Sequence, residues 1–129
     1  MKIEVSNGEV LDKYSILQIK SERITDPTAL NNIRRELESL LPAVDAIHSL
    51  ESSGALHTLQ DQQLKVNTSL WEVEDVLRGL EKSQDFGPSF VAAARSVYKL
   101  NDRRAAVKKE INLLTGSNLI EEKSYEKYD

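Results

Sequence analysis

ALHTLQDQQLKVNTSLWEVEDVLRGLEK, residues 55–82, decides the fold. Leu56, Leu59, Gln63, Val66, Leu70, Val73, Leu77 and Leu80 follow one another at alternating steps of three and four. An α-helix turns about 100° per residue, so those steps keep the side chains on one stripe. Sustained over about three heptads, such a stripe is the seam of a coiled-coil-like pair. Gln63 is its only polar member.

The neighbouring segments read as helices of the same kind. Ser83 to Gly87 form a loop, and Pro88 suits the first position of a further helix. That helix ends at Gly116, a residue type that caps helix C-termini. Ser52-Ser53-Gly54 is the turn on the other side. Before it, Leu30, Ile33, Leu37, Leu40, Val44 and Ile47 repeat the three–four spacing. Asp26 is placed to cap that helix and Pro27 to begin it, while Pro42 predicts a kink or short break near Leu40–Pro42.

The earliest helix is expected from Asn7 to Thr25. Ser6 and Glu9 fit a capping box, with Val5 and Val10 at hydrophobic-staple positions. Val10, Tyr14, Leu17, Ser21 and Ile24 make one stripe, but Ile16 and Ile19 lie on another face. A helix apolar on two sides is either central or covered by another chain. The expected fold is therefore all-α. It is a four-helix antiparallel up-down-up-down bundle, or a set of long helical hairpins that completes its core in a dimer. The bundle domain spans residues 1–116, and residues 117–129 form a short, irregular, charged tail whose Leu119 and Ile120 could dock on the bundle.

Composition narrows the function classes. The chain has 129 residues, 40% hydrophobic and 29% charged, with a net charge of −4. That length suits one domain with a real core. An acidic balance disfavours nucleic acid as a partner, since phosphate binding draws on a basic excess. Cysteine is absent, which removes thiolate metal sites and cysteine nucleophiles and fits a reducing, cytoplasmic location. No stretch has the roughly 18 apolar residues of a membrane span, and the first residues lack a signal peptide's apolar run.

Catalytic signatures are missing. There is no G-x-S-x-G elbow and no Gly-rich phosphate loop. Asp45-x-x-His48 is a lone approximation to a di-metal bundle motif, and His57 stands apart across the Gly54 turn. No catalytic residue, metal or cofactor is expected, and an enzyme is the less favoured class.

The last helix carries the most information. Phe90, Ala94, Val97, Tyr98 and Ala105 cover one broad arc, and Asn101, Arg104 and Lys108 fall inside it. Polar groups on an apolar face need partners, because unpaired burial is costly. Folding the chain antiparallel about each turn sets Arg104 level with Asn67 and Lys108 level with Gln63. Both levels approach the start of the first helix, where Glu9 and Asp12 lie.

Three readings follow. The first is a pocket of Glu9, Asp12, Gln63, Asn67, Asn101, Arg104 and Lys108 that holds a small carboxylate or phosphate. The second is a structural network with Arg104 paired to Asp12 or Glu74. In the third, the long Arg and Lys stems reach out to solvent. The sole tryptophan, Trp71, lies with Leu64 beside the main seam. With Ile16 and Ile19 these residues form a candidate interface for a second copy or another protein.

Four segments together resemble a known family: KIEVSNGEVLDKYSILQIKSERI (2–24), NTSLWEVED (67–75), ARSVYKLNDRRAAVKKEIN (94–112) and EEKSY (121–125). The set is similar to a family of small bacterial proteins of unknown function. The resemblance implies an all-helical domain and brings no activity with it. The residues it marks are Gly8, Asp12 and Lys13; Asn67, Trp71, Glu74 and Asp75; and Arg95, Tyr98, Asn101, Asp102, Arg104, Lys108 and Asn112. On function, the leading expectation is a non-enzymatic interaction or scaffold protein, self-associating or binding another protein. The alternative is a small all-α enzyme or ligand-binding bundle, similar to chorismate mutase only by architectural analogy.

Overall fold

A computed structural model describes every residue of the chain except Ser52, Tyr125 and Asp129. Ser52 of the expected turn, Tyr125 of the fourth family segment and Asp129 of the tail thus lie outside the described residues. Helices α1 (Asn7–Arg23), α2 (Pro27–Ser49), α3 (Ala55–Lys82) and α4 (Pro88–Thr115) follow one another antiparallel, with no strand among the described residues.

Each helix boundary has a local cause. The Ser6 hydroxyl accepts a hydrogen bond from the Glu9 backbone N–H at 3.1 Å and opens α1. The Glu9 carboxylate does not complete a capping box, because it turns to Lys108 instead. The Asp26 carboxylate accepts from the Ala29 N–H at 2.8 Å and opens α2, with Pro27 in its first turn. At the far end of α4, Gly116 adopts φ 64°, a left-handed conformation costly for any residue with a Cβ. Beyond it, the Ser117 N–H bonds back to the Asn112 carbonyl at 2.9 Å.

Of the kink or short break expected near Leu40–Pro42, the break does not occur, and α2 runs through Pro42. Proline removes one N–H donor, but Pro42 faces solvent, where water can serve the carbonyl left without a partner. Val44 and Ile47, just beyond it, are buried in the core and hold the helix in place.

The core gathers at one end of the bundle. Val10 and Leu11 of α1, Val44 and Ile47 of α2, Leu56 and Leu59 of α3, and Val107 and Ile111 of α4 form one cluster. Helix α1 is the central element, packed against α2, α3 and α4, while α2 packs mainly on α1. The two apolar faces of α1 thus find cover within one chain, Ile19 being buried and Ile16 partly so.

Length mismatch then shapes the other end. Helices α3 and α4 have 28 residues each and α1 has 17. At 1.5 Å per residue these are roughly 42 Å and 26 Å. The α3–α4 hairpin therefore projects past α1 as an arm. Among the described residues, none from Thr68 to Ala106 is buried.

Candidate functional site

The site begins where α1 touches α4. A Cβ built on Gly8 would lie 2.4 Å from the Lys108 carbonyl oxygen and 2.9 Å from Asn112 Oδ1, so only glycine permits this approach. The Gly8 N–H donates to Asn112 Oδ1 at 2.6 Å, and Gln63 Nε2 donates to the Gly8 carbonyl at 3.3 Å. Asn7 adds a bond from its Nδ2 to Thr115 Oγ1 at 2.9 Å. Gln63 Oε1 is buried with no hydrogen-bond partner among the described residues.

One turn further along α1 sits Asp12, with a side chain 0% exposed. Arg104 Nε donates to both its carboxylate oxygens, at 2.9 and 3.1 Å, and a terminal guanidinium nitrogen of Arg104 adds a third bond. Asn67 Nδ2 donates to Asp12 Oδ1 at 3.0 Å and to Ser15 Oγ at 2.6 Å. The hydrogen bonds from Arg104 to Asp12 hold its guanidinium above its ordinary range, against burial, which acts the other way.

Lys108 forms the outer half of the network. It pairs with Glu9 and, at 3.4 Å, with Glu121 of the tail. Burial alone would push its ammonium down. The hydrogen bond and charge of Glu9, with the charges of Glu121 and Asp12, outweigh burial and hold it above the ordinary lysine value of 10.5. A raised folded-state value means the pairing contributes fully below the unfolded value and fades as pH rises through the folded one. The melting-temperature gap between wild type and Lys108→Met should therefore be constant near neutrality and shrink in scans from about pH 9 to about pH 12. A gap independent of pH would contradict the pairing.

Beyond Asp12, along the second half of α1, a groove of about 570 Å³ opens between α1, α3 and α4. Ile16, Ile19, Leu70 and Trp71 give it apolar walls, and Asn67, Asn101, Arg104, Glu74, Asp75 and Arg78 its polar ones. It continues along the arm between Glu74, Leu77, Arg78 and Glu81 of α3 and Phe90, Ala94 and Val97 of α4. This is one continuous face. Nearer the core, the same stripe of α3 carries Gln63 and Asn67, which bond to α1.

The structure thus brings Glu9, Asp12, Gln63, Asn67, Arg104 and Lys108 into one network, with Asn101 on the adjoining groove. Ile16, Ile19 and Trp71 share that groove. Leu64 does not, because it borders a small cleft with Leu11, Tyr14 and His57. Sequence reasoning did not select Asn112, Ser15 or Glu121 as site residues. The first two carried a signal: Asn112 lies one turn beyond Lys108, and Ser15 lies three residues beyond Asp12. The cations carry no spare charge, since acidic partners already face Arg104 and Lys108.

His48 and His57 meet with ring centroids 5.3 Å apart. Among the described residues no group of three or more His, Asp or Glu side chains gathers as a metal-ligand set. Nor, among those residues, is any helix long and apolar enough to cross a membrane. A family model described as "Family of unknown function (DUF6165)" matches residues 1–128. No curated protein and no solved structure matches the chain.

Proposed function

The chain belongs to this family of unknown function, and we propose from its own geometry that it is a non-enzymatic interaction protein that pairs with a second copy of itself through the α3–α4 arm. One observation carries the reading: the face that α1 covers near the core continues along the arm, where no described residue outside α3 and α4 lines it. Apolar helix faces are stable when buried against another element, and two helices alone bury only their shared seam. Trp71, Leu77, Phe90 and Val97 are left partly exposed there.

A second copy fits that face in charge and in shape. Two arms laid face to face and antiparallel, about a two-fold axis level with Val76 and Ala94, set Glu74 of one copy opposite Arg78 of the other. The axis repeats the pair, as an isologous contact requires. Ala94 meets its own counterpart at the axis, where a small side chain lets helices approach closely. At the ends of the overlap, Phe90 of each arm tip comes level with the partner's Trp71 groove. Trp and Phe in such a position are the side chains that dominate interface energies.

Trp71 is the only tryptophan, so its fluorescence reports on this face alone. Dilution from high micromolar to nanomolar concentration should shift its emission to the red, in step with a dimer-to-monomer change in sedimentation. Glu74→Arg should weaken the dimer about tenfold by setting like charges together, and Glu74→Arg with Arg78→Glu should restore it. A monomer at all concentrations would overturn the reading. The competing reading, a carboxylate or phosphate held by Arg104 and Lys108, requires the anion to displace Asp12, Glu9 and Glu121. Its mark would be a ligand-dependent rise in melting temperature without a change of mass.

A further inference from the structure

Several of the described residues after α4 return to the bundle. Ser117 Oγ accepts from the Asn7 N–H at 3.0 Å, which turns the chain back past the start of α1. Ser6 Oγ then donates to Glu121 Oε1 at 3.3 Å, and Lys108 Nζ approaches Glu121 Oε2 at 3.4 Å. Glu122 pairs with Lys109 at 3.2 Å. Further on, the Tyr128 ring packs edge-on against Tyr98, with centroids 5.1 Å apart. The described tail residues thus meet α4 in antiparallel order, Glu121 at Lys108 and Tyr128 at Tyr98.

Its last part borders the arm face. Lys123, Glu126 and Tyr128 line a cleft of about 560 Å³ with Val97, Tyr98 and Asn101 of α4. Val97 and Asn101 also line the open groove on the other side. A second arm settling on that groove needs the α4 margin that the tail occupies.

We infer that the tail is an intramolecular gate on self-association, tied down by an ionic latch in which Glu121 sits on Lys108 and Ser6. The inference rests on the arm-pairing reading above. The latch is strong enough to bias the tail and weak enough to yield. Lys108 is 14% exposed and already partnered by Glu9, whereas Glu121 is 50% exposed and screened by salt. A protomer competent to pair only when its tail is untied shows an apparent affinity reduced by the untied fraction.

The test uses the full chain carrying Glu121→Lys, which sets two like charges together at the latch. Hydrogen exchange over residues 117–128 reads the tail, and sedimentation equilibrium reads the dimer. Faster tail exchange is expected, together with a dimer dissociation constant lowered at least about threefold. Faster exchange with an unchanged or higher constant would overturn the gate, as it would mean that the tail is a bystander or part of the interface. Unchanged exchange would overturn the latch. If the wild type dimerises and the variant is no tighter, only the gate falls. If both stay monomeric at every concentration, the arm-pairing reading falls with it.

Discussion

Arg104→Met should lower the unfolding free energy by about 3–5 kcal/mol, the range for a buried ion pair deprived of one partner. Asp12 is fully buried and depends on Arg104 for most of its hydrogen bonds. Methionine fills much of the same volume but leaves the carboxylate with Asn67 as its side-chain donor. The Arg104 side chain is 30% exposed, so water can enter beside Asp12 after the change and draw the loss toward the lower end. The measurement is urea unfolding of wild type, Arg104→Met, Asp12→Asn and the double variant. Removing the charge of Asp12 should recover much of the loss, giving a coupling of at least about 1 kcal/mol. Additive single losses would show that the two side chains act separately, and a small loss for Arg104→Met would favour a solvent-reaching stem.

Gly8→Ala is the second large effect, and two contributions of opposite sign decide it. Alanine in place of glycine favours a helix by roughly 1 kcal/mol. Against this, the new Cβ would lie 2.4 Å from a backbone carbonyl of α4, so α1 has to move away from α4. Overpacking of that kind costs typically about 1–3 kcal/mol. The displacement also strains the buried bonds from the Gly8 N–H to Asn112 and from Gln63 to the Gly8 carbonyl, each worth about 1 kcal/mol or more. The net expectation is a loss of about 2–3 kcal/mol in denaturant unfolding. A stabilised variant would mean that the two helices are not in contact at Gly8.

The helices were legible because apolar spacing and capping are local. Leu56 to Leu80 define α3 by period alone, and Asp26, Pro27 and Gly116 mark boundaries by backbone chemistry. The level of Arg104 beside Asn67 and Asp12 was legible for a related reason, since antiparallel helices rise equally from a shared turn. Whether Arg104 turns to Asp12 or Glu74 was not legible. That depends on α1 lying along the α3–α4 face, and periodicity names a face without naming its neighbour. For the same reason the stripe from Leu70 to Leu80 reads alike whether it is covered or bare. Pro42 does not break α2 because burial of Val44 and Ile47 outweighs one missing donor. The tail contacts of Glu121 and Tyr128 gave no signal, because an extended segment has no period and its partners are distant in sequence.

The pairing of arms is tested most directly by a single cysteine at the predicted axis. The chain has no native cysteine, so one introduced residue gives an unambiguous cross-link. Ala94→Cys lies on the open face, and Val76→Cys lies level with it on the exposed back of α3. A disulfide forms only where the two Cα atoms come within about 7 Å. Under mild oxidation, Ala94→Cys should convert to a covalent dimer while Val76→Cys stays monomeric. Equal cross-linking at both positions, or none at Ala94→Cys, would contradict the arm-to-arm pairing.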